Sequence, residues 1–217
     1  MNKKPRILVL ASGDKTGGGS GFQEMVEQSR TAPVILDADI VAVVSNHSQG
    51  GVYQKAQALG IEFEYWSGPY TADGYQNLVI KYAADYVMCS GWLKLVIGLD
   101  TGKTINIYPG PLPEFGGPGL YGRHVHEAVI KAFQEGRIKQ SAVTIHYVNE
   151  EFDRGPTIVK IPVLIRETDT AETLAVRVNK IEHCWQSFIL NEIVHKRICL
   201  LGDTIYFKNS DLKRLSH

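Results

Sequence analysis

Short, unbroken apolar runs recur through the first half of the chain at Ile7 to Leu10, Ile40 to Val44, Tyr86 to Cys89 and Thr104 to Ile107. Runs of this length without alternation predict strands buried on both faces of a sheet. Between them the apolar period shifts to three and four, which predicts helices over Phe22 to Ser29, Val52 to Leu59 and Tyr75 to Ala83. In the last of these Tyr75, Leu78, Val79 and Tyr82 share one face, the face that would cover a sheet. Strands and helices in this order imply right-handed βαβ units and a Rossmann-like, mainly parallel α/β sheet with flanking helices.

After Pro113 the texture changes. A Gly/Pro loop leads to a helix from about His124 to Phe133 and then to two strand-like runs, Ser141 to Val148 and Thr157 to Ile165. Pro162 in the second run cannot donate to a ladder, which assigns that strand to an edge or a bulge. Asp169 with Glu172 three residues on has capping-box spacing and opens a long helix. Leu174, Val178, Ile181, Trp185, Phe188 and Ile189 mark its buried stripe. RICLLGDTIYF then reads as a hairpin turning at Gly202-Asp203. The chain is expected to form one domain over residues 1–207, followed by a polar, fraying tail at 208–217.

Composition narrows the function classes. Hydrophobic residues make up 44% and charged ones 21%, the balance of an ordinary globular protein. Lys+Arg and Asp+Glu number 23 each, so no net field draws the chain to nucleic acid or to an anionic membrane. The apolar part of MNKKPRILVLASG is too short for a secretion signal, and no stretch approaches the roughly 18 to 20 apolar residues of a membrane span. Cys89, Cys184 and Cys199 are dispersed and odd in number, the usage of a reduced cytoplasmic protein.

Two regions carry candidate chemistry. In RILVLASGDKTGGGSGF, Gly13, Gly17, Gly18, Gly19 and Gly21 lie between a strand and a helix, where backbone N–H groups and a helix N-terminus can hold a phosphate. The same stretch is also compatible with a simple flexible βα turn. Neither standard nucleotide signature fits: GxxxxGK[ST] would need lysine at Gly19, and no GxGxxG register exists. A phosphorylated small molecule is favoured over ATP or NAD. In TINIYPGPLPEFGGPG, Asn106 and Tyr108 stand two residues apart on a strand end and so project together. Farther on, AVTIHYVNEEFDRGP supplies His146 and Asp153. Carboxamide, hydroxyl, imidazole and carboxylate suit acyl-group transfer, although on spacing alone a turn asparagine and a loop aspartate fit as well.

Several separated motifs, taken in order, resolve this ambiguity. ASG...GGSGF, VVSN, CSGWLKLV, NIYPGPLP, GGPGLYGRHVHEAV, TIHYVNEEFDRGP and RVNKIEH carry a match that extends from Ile7 to about Phe207. Together they resemble the folate-dependent formyltransferases that act on glycinamide ribonucleotide. The resemblance implies 10-formyltetrahydrofolate as co-substrate, no metal, a monomer or homodimer, and no nucleic-acid or membrane partner. It implies an amino-terminal half, about 1–103, that binds the ribonucleotide phosphate, and a catalytic and folate-binding half, about 104–207.

Residue by residue, Gly18, Gly19, Ser20 and Gly21 fall on the phosphate loop, and Glu182 on the acidic residue that contacts the ribonucleotide. Leu93, Lys94, Leu95 and Val96 match the folate-contacting segment. Asn106 and Asp153 match catalytic residues that polarise the formyl oxygen and assist proton transfer, and His146 matches a supporting histidine.

The chain departs from the family pattern twice. DKTG is an insertion in the phosphate loop, and Gly21 follows Ser20 where the family usually has Asn. Tyr108 stands where the family motif Asn-x-His-Pro has its catalytic histidine. A phenol titrates near ~10 and an imidazole near ~6.5, so at neutral pH tyrosine offers a donor where histidine offers a base. Tyr108 is therefore expected to donate to the formyl oxygen while Asp153, directly or through water, accepts the amine proton. Two other functions fit the same departures: transfer to another amine such as an amino sugar nucleotide, or a catalytically weak or silent ligand-binding homologue. His124 and His126 diverge on a helix and suit no metal. His183 reads as a packed helix residue, Trp185 as core, and Trp92 as core or pocket wall.

Overall fold

A computed structural model describes residues 3–214 of the 217-residue chain. Nine strands and six α-helices are present among these residues: β1 (Arg6–Leu10), α1 (Ser20–Arg30), β2 (Asp39–Ser45), α2 (Gly51–Leu59), β3 (Phe63–Tyr65), α3 (Ala72–Lys81), β4 (Tyr86–Ser90), β5 (Thr104–Tyr108), α4 (Arg123–Gln134), β6 (Gln140–Tyr147), β7 (Thr157–Leu164), α5 (Ala171–Val194), β8 (Ile198–Leu201), β9 (Thr204–Phe207) and α6 (Ser210–Lys213). The first seven strands form one sheet in the order β3-β2-β1-β4-β5-β6-β7. The five strands from β3 to β5 are parallel, β6 pairs antiparallel with β5, and β7 pairs antiparallel with β6 and so runs in the direction of the first five. The sheet is continuous from β4 to β5.

Alternation along β1 sets the layers. Ile7 and Val9 face a large core shared with Phe22, Met25 and Val26 of α1, Val125 and Val129 of α4, and Leu174, Val178 and Ile189 of α5. Leu8 and Leu10 face a smaller core closed by Tyr75 and Leu78 of α3, with Val79 and Tyr82 packed at its margin. Each fully buried side chain of this size contributes about 1.5–3 kcal/mol. Chain order reverses between β1 and β4, and ligands of open α/β sheets bind at the carboxyl ends of the strands at such a point.

β7 is the edge strand, and Pro162 lies in it opposite Ala142, as its missing N–H requires. The hairpin β8–β9 turns at Gly202-Asp203. Two expectations need correction. The capping box of α5 belongs to Thr170, which accepts from Thr173, one residue beyond the expected Asp169 and Glu172. The Asp169 carboxylate is instead engaged by Arg177 at 2.6 and 2.8 Å and by the Arg166 N–H. These donors hold its pKa far below the usual carboxylate range. The polar tail is ordered in its first part: α6 forms, and Leu212 is buried against the large core. The remaining tail positions, 215–217, lie outside the described residues.

Candidate active site

A cleft of about 580 Å³ opens at the carboxyl ends of β1, β4 and β5. The loop after β1 forms one end, the strand end at Asn106 the other, and α5 one long wall. Asn179, Glu182, His183 and Gln186 line that wall at spacings of three and four, the polar face of the helix whose opposite face fills the core.

At the β1 end, Gly19 is the N-cap of α1 with φ 74°, a left-handed conformation suited to glycine, and no side chain caps the helix. The first helical bond is from the Gln23 N–H to the Gly19 carbonyl, so the N–H groups ahead of it have no helical acceptor. With the helix dipole they make a natural anion seat. Gly21 matters for a different reason. A Cβ there would stand 2.4 Å from Ser90 Oγ and 3.0 Å from Gln186 Oε1. Ser90 donates to Gln186 Oε1 at 3.2 Å, and Gln186 Nε2 donates to the Gly21 carbonyl at 3.2 Å, so this contact ties β4, α5 and α1 together.

The DKTG segment is a self-contained turn. Asp14 Oδ1 accepts from the N–H of Thr16 and of Gly17, and the Asp14 N–H donates to the Gly17 carbonyl. These donors lower the Asp14 pKa. The Gly51 N–H bonds the Asp14 carbonyl and fastens the turn to α2.

At the β5 end the register places Asn106 opposite His146 and Tyr108 opposite Thr144. His146 Nδ1 lies 2.8 Å from the Tyr147 carbonyl, which can only accept, so Nδ1 carries the proton. Nε2 therefore accepts from Asn106 Nδ2 at 3.0 Å. Burial lowers the His146 pKa, against the opposing pull of that carbonyl and of Asp153, and the ring is neutral. This bond fixes the Asn106 carboxamide and leaves its second N–H for the cleft. Asp153, in a left-handed conformation at φ 55°, places Oδ1 3.9 Å from His146 Nε2 and accepts the Gly117 N–H on Oδ2 at 2.9 Å.

Tyr108 has other partners than the expected formyl oxygen. Its hydroxyl lies 2.5 Å from the Phe115 carbonyl and 2.7 Å from the Leu120 carbonyl, and its one proton is shared between them. Burial first, and the Asp153 charge second, raise the phenol pKa well above its ordinary value. The side chain borders the cleft but is neither a base nor, as placed, a donor to a ligand.

Comparison with known proteins decides the family. Residues 5–190 match the formyl transferase family model. The chain belongs to the formyl transferase family. It is 34% identical over 207 residues to a chloroplastic phosphoribosylglycinamide formyltransferase of Arabidopsis thaliana, covering 90% of this chain and 68% of that one. Identity to the phosphoribosylglycinamide formyltransferase of Bacillus subtilis is 30%, covering 87% and 94%. A crystal structure of phosphoribosylglycinamide formyltransferase from Anaplasma phagocytophilum superposes with a TM-score of 0.76 at 26% identity, covering 96% and 97%.

In this formyl transferase, Gly18, Gly19, Ser20, Gly21, Asn106, Tyr108, Asp153 and Glu182 converge on the cleft, and His146 supports it from behind Asn106. Burial pushes the Glu182 carboxyl up to about 7. Of the expected folate segment only Leu93 lines the cleft. Lys94 lies over the Tyr70 ring, the Leu95 carbonyl accepts from Tyr75, and Val96 is in the smaller core. Trp92 is both core and wall, donating to Tyr75 Oη at 3.0 Å. His124 pairs with Glu127 at the surface, whereas His126 is buried. His183 is within 3.2 Å of Ser20 Oγ, so it borders the anion seat and is not simply packed. Asn179 and Gln186 are additional site residues. Their signal was the polar period N-x-x-E-H-x-x-Q opposite the apolar stripe of α5.

Proposed function

We propose that this protein transfers a formyl group from 10-formyltetrahydrofolate to the amino group of glycinamide ribonucleotide, a step of purine biosynthesis. The observation that carries the reading is the Asn106, His146 and Asp153 cluster at one end of a cleft whose other end is the uncapped N-terminus of α1. The ribonucleotide phosphate sits on the N–H groups of Gly19, Ser20 and Gly21, with Ser20 Oγ as a further donor. Glu182 and Asn179 bind the ribose. This gives the segment before β5 the phosphate-binding role and the segment from β5 onward the catalytic one. Trp92, Leu93, Tyr121 and Phe152 offer apolar walls to the folate rings.

Attack of the amine nitrogen on the formyl carbon pushes the carbonyl electron pair onto oxygen. The free N–H of Asn106 donates to that oxyanion, held in position by neutral His146. Asp153, directly or through one water, accepts the proton the amine loses. The carbon–N10 bond then breaks, and the folate nitrogen takes up a proton as it leaves. The chemistry needs no metal, and a cytoplasmic location is part of the proposal. No helix among the described residues is long and apolar enough to cross a membrane.

The test is folate product release, followed spectrophotometrically, with glycinamide ribonucleotide and with amino sugar nucleotides offered in parallel. Turnover dependent on the ribonucleotide is expected. Turnover with another amine alone, or ligand binding without turnover, would refute the assignment.

A further inference from the structure

We propose that Tyr108 is a positioning residue that holds the Asp153 carboxylate in place by clamping the glycine loop between Phe115 and Leu120. The two carbonyls that share its hydroxyl proton bracket the segment Gly116-Gly117-Pro118-Gly119. That segment touches Asp153 directly. The Gly117 N–H donates to Asp153 Oδ2 at 2.9 Å, and a Cβ on Gly116 would stand only 2.9 Å from Asp153 Cβ.

Phe115 is buried in the large core and Leu120 packs against it, but the glycine-rich middle of the segment has little else to hold it. Gly117 and Gly119 have φ of 107° and 87°, so the loop relies on residues of wide conformational freedom. Its own backbone bonds are those from the Phe115 N–H to the Pro111 carbonyl and from the Leu120 N–H to the Gly117 carbonyl. The buried phenol restrains both ends of the segment at once, from a rigid strand. A phenol oxygen stands farther from its backbone than either imidazole nitrogen, so histidine at this position does not span both carbonyls. Tyr108 thus serves as a loop clamp and not as a titrating group, and proton acceptance falls to Asp153.

The role assigned to Asp153 rests on the function proposed above, and the test separates the two. Tyr108→Phe, Asp153→Asn and the double variant form a cycle in which kcat and KM are measured, with amide hydrogen exchange of residues 115–122 followed in the ligand-free proteins. Misplacing a reacting group by about 1 Å costs as much as ~10²-fold. Tyr108→Phe is expected to lower kcat by ~10-fold or more, with KM within ~2-fold and faster exchange in the loop. In the Asp153→Asn background the same change should alter kcat less than ~2-fold.

An equal loss of kcat in both backgrounds overturns the proposal, because Tyr108 would then act independently of Asp153. Unchanged exchange or unchanged kcat in Tyr108→Phe overturns it as well. If the unaltered protein fails to turn over glycinamide ribonucleotide, the function is refuted, and the exchange measurement still judges the clamp. Should Tyr108→Phe not fold, Tyr108→Gln, whose shorter amide reaches at most one of the two carbonyls, enters the same cycle with the same expected direction.

Discussion

Removing the Asn106 carboxamide should slow the reaction far more than it weakens substrate binding. Asn106 stands on β5 with one N–H committed to His146 Nε2 at 3.0 Å and the other facing the cleft. Losing one positioned oxyanion donor costs ~10²–10³ in kcat, about 2.7–4 kcal/mol. Asn106→Ala also leaves a buried imidazole nitrogen without its donor, at a cost of about 1–3 kcal/mol. The lower half of that range applies, because the position borders the cleft and water can replace the lost amide. At ~2–4 °C per kcal/mol for a protein of this size, Tm should fall by ~2–8 °C, so assays at 25 °C still measure folded enzyme. Asn106→Asp keeps the shape but swaps the donor for a charge that repels the oxyanion, and kcat should fall at least as far. Steady-state kinetics with both substrates varied give kcat and KM separately. An Asn106→Ala variant with unchanged kcat and a raised KM would exclude Asn106 as the oxyanion donor, since the carboxamide would then serve binding alone.

Other sites give independent checks. Gly21→Ala forces a methyl against Ser90 Oγ and Gln186 Oε1 and should lower stability by about 1–3 kcal/mol in urea unfolding. An unshifted urea midpoint would show that this three-element contact is loose. Glu182 has its carboxyl pushed up to about 7 by burial, so its negative charge develops between pH 6 and 8. KM for the ribonucleotide should fall across that interval and become flat in Glu182→Gln; an unaltered pH dependence in the variant would exclude Glu182 as the ribose ligand. His126 is buried with Nδ1 unpartnered, and burial lowers its pKa below the usual 6.5. Below that value the unfolded chain takes up a proton the folded protein resists, so this group's contribution to stability is lost as pH falls. His126→Gln should make the decline in urea midpoint from pH 7 to pH 5 shallower, and an equally steep decline would contradict the assignment.

The parallel strands were legible because burial on both faces leaves continuous apolar runs, and β1, β2, β4 and β5 lie within a residue or so of where those runs end. β3 was not, since Phe63-Glu64-Tyr65 is too short to show any period and is defined by pairing with β2. The start of α5 was displaced by one residue because Asp169 satisfies the local capping pattern while its carboxylate is drawn to Arg177, eight positions on. Asn106, Asp153 and Glu182 were singled out through motif resemblance, since spacing alone could not separate Asn106 and Asp153 from turn and loop residues. The Tyr108 clamp lay beyond sequence reasoning altogether. Its acceptors are backbone carbonyls seven and twelve positions away, and carbonyls carry no sequence signal.

Formyl transfer fixes the destination of one carbon atom. With 10-formyltetrahydrofolate labelled with ¹³C in the formyl group, a ¹³C formamide resonance is expected on the ribonucleotide product, growing in step with tetrahydrofolate and absent when glycinamide ribonucleotide is omitted. Label appearing as free formate, at the same rate with and without the ribonucleotide, would contradict it.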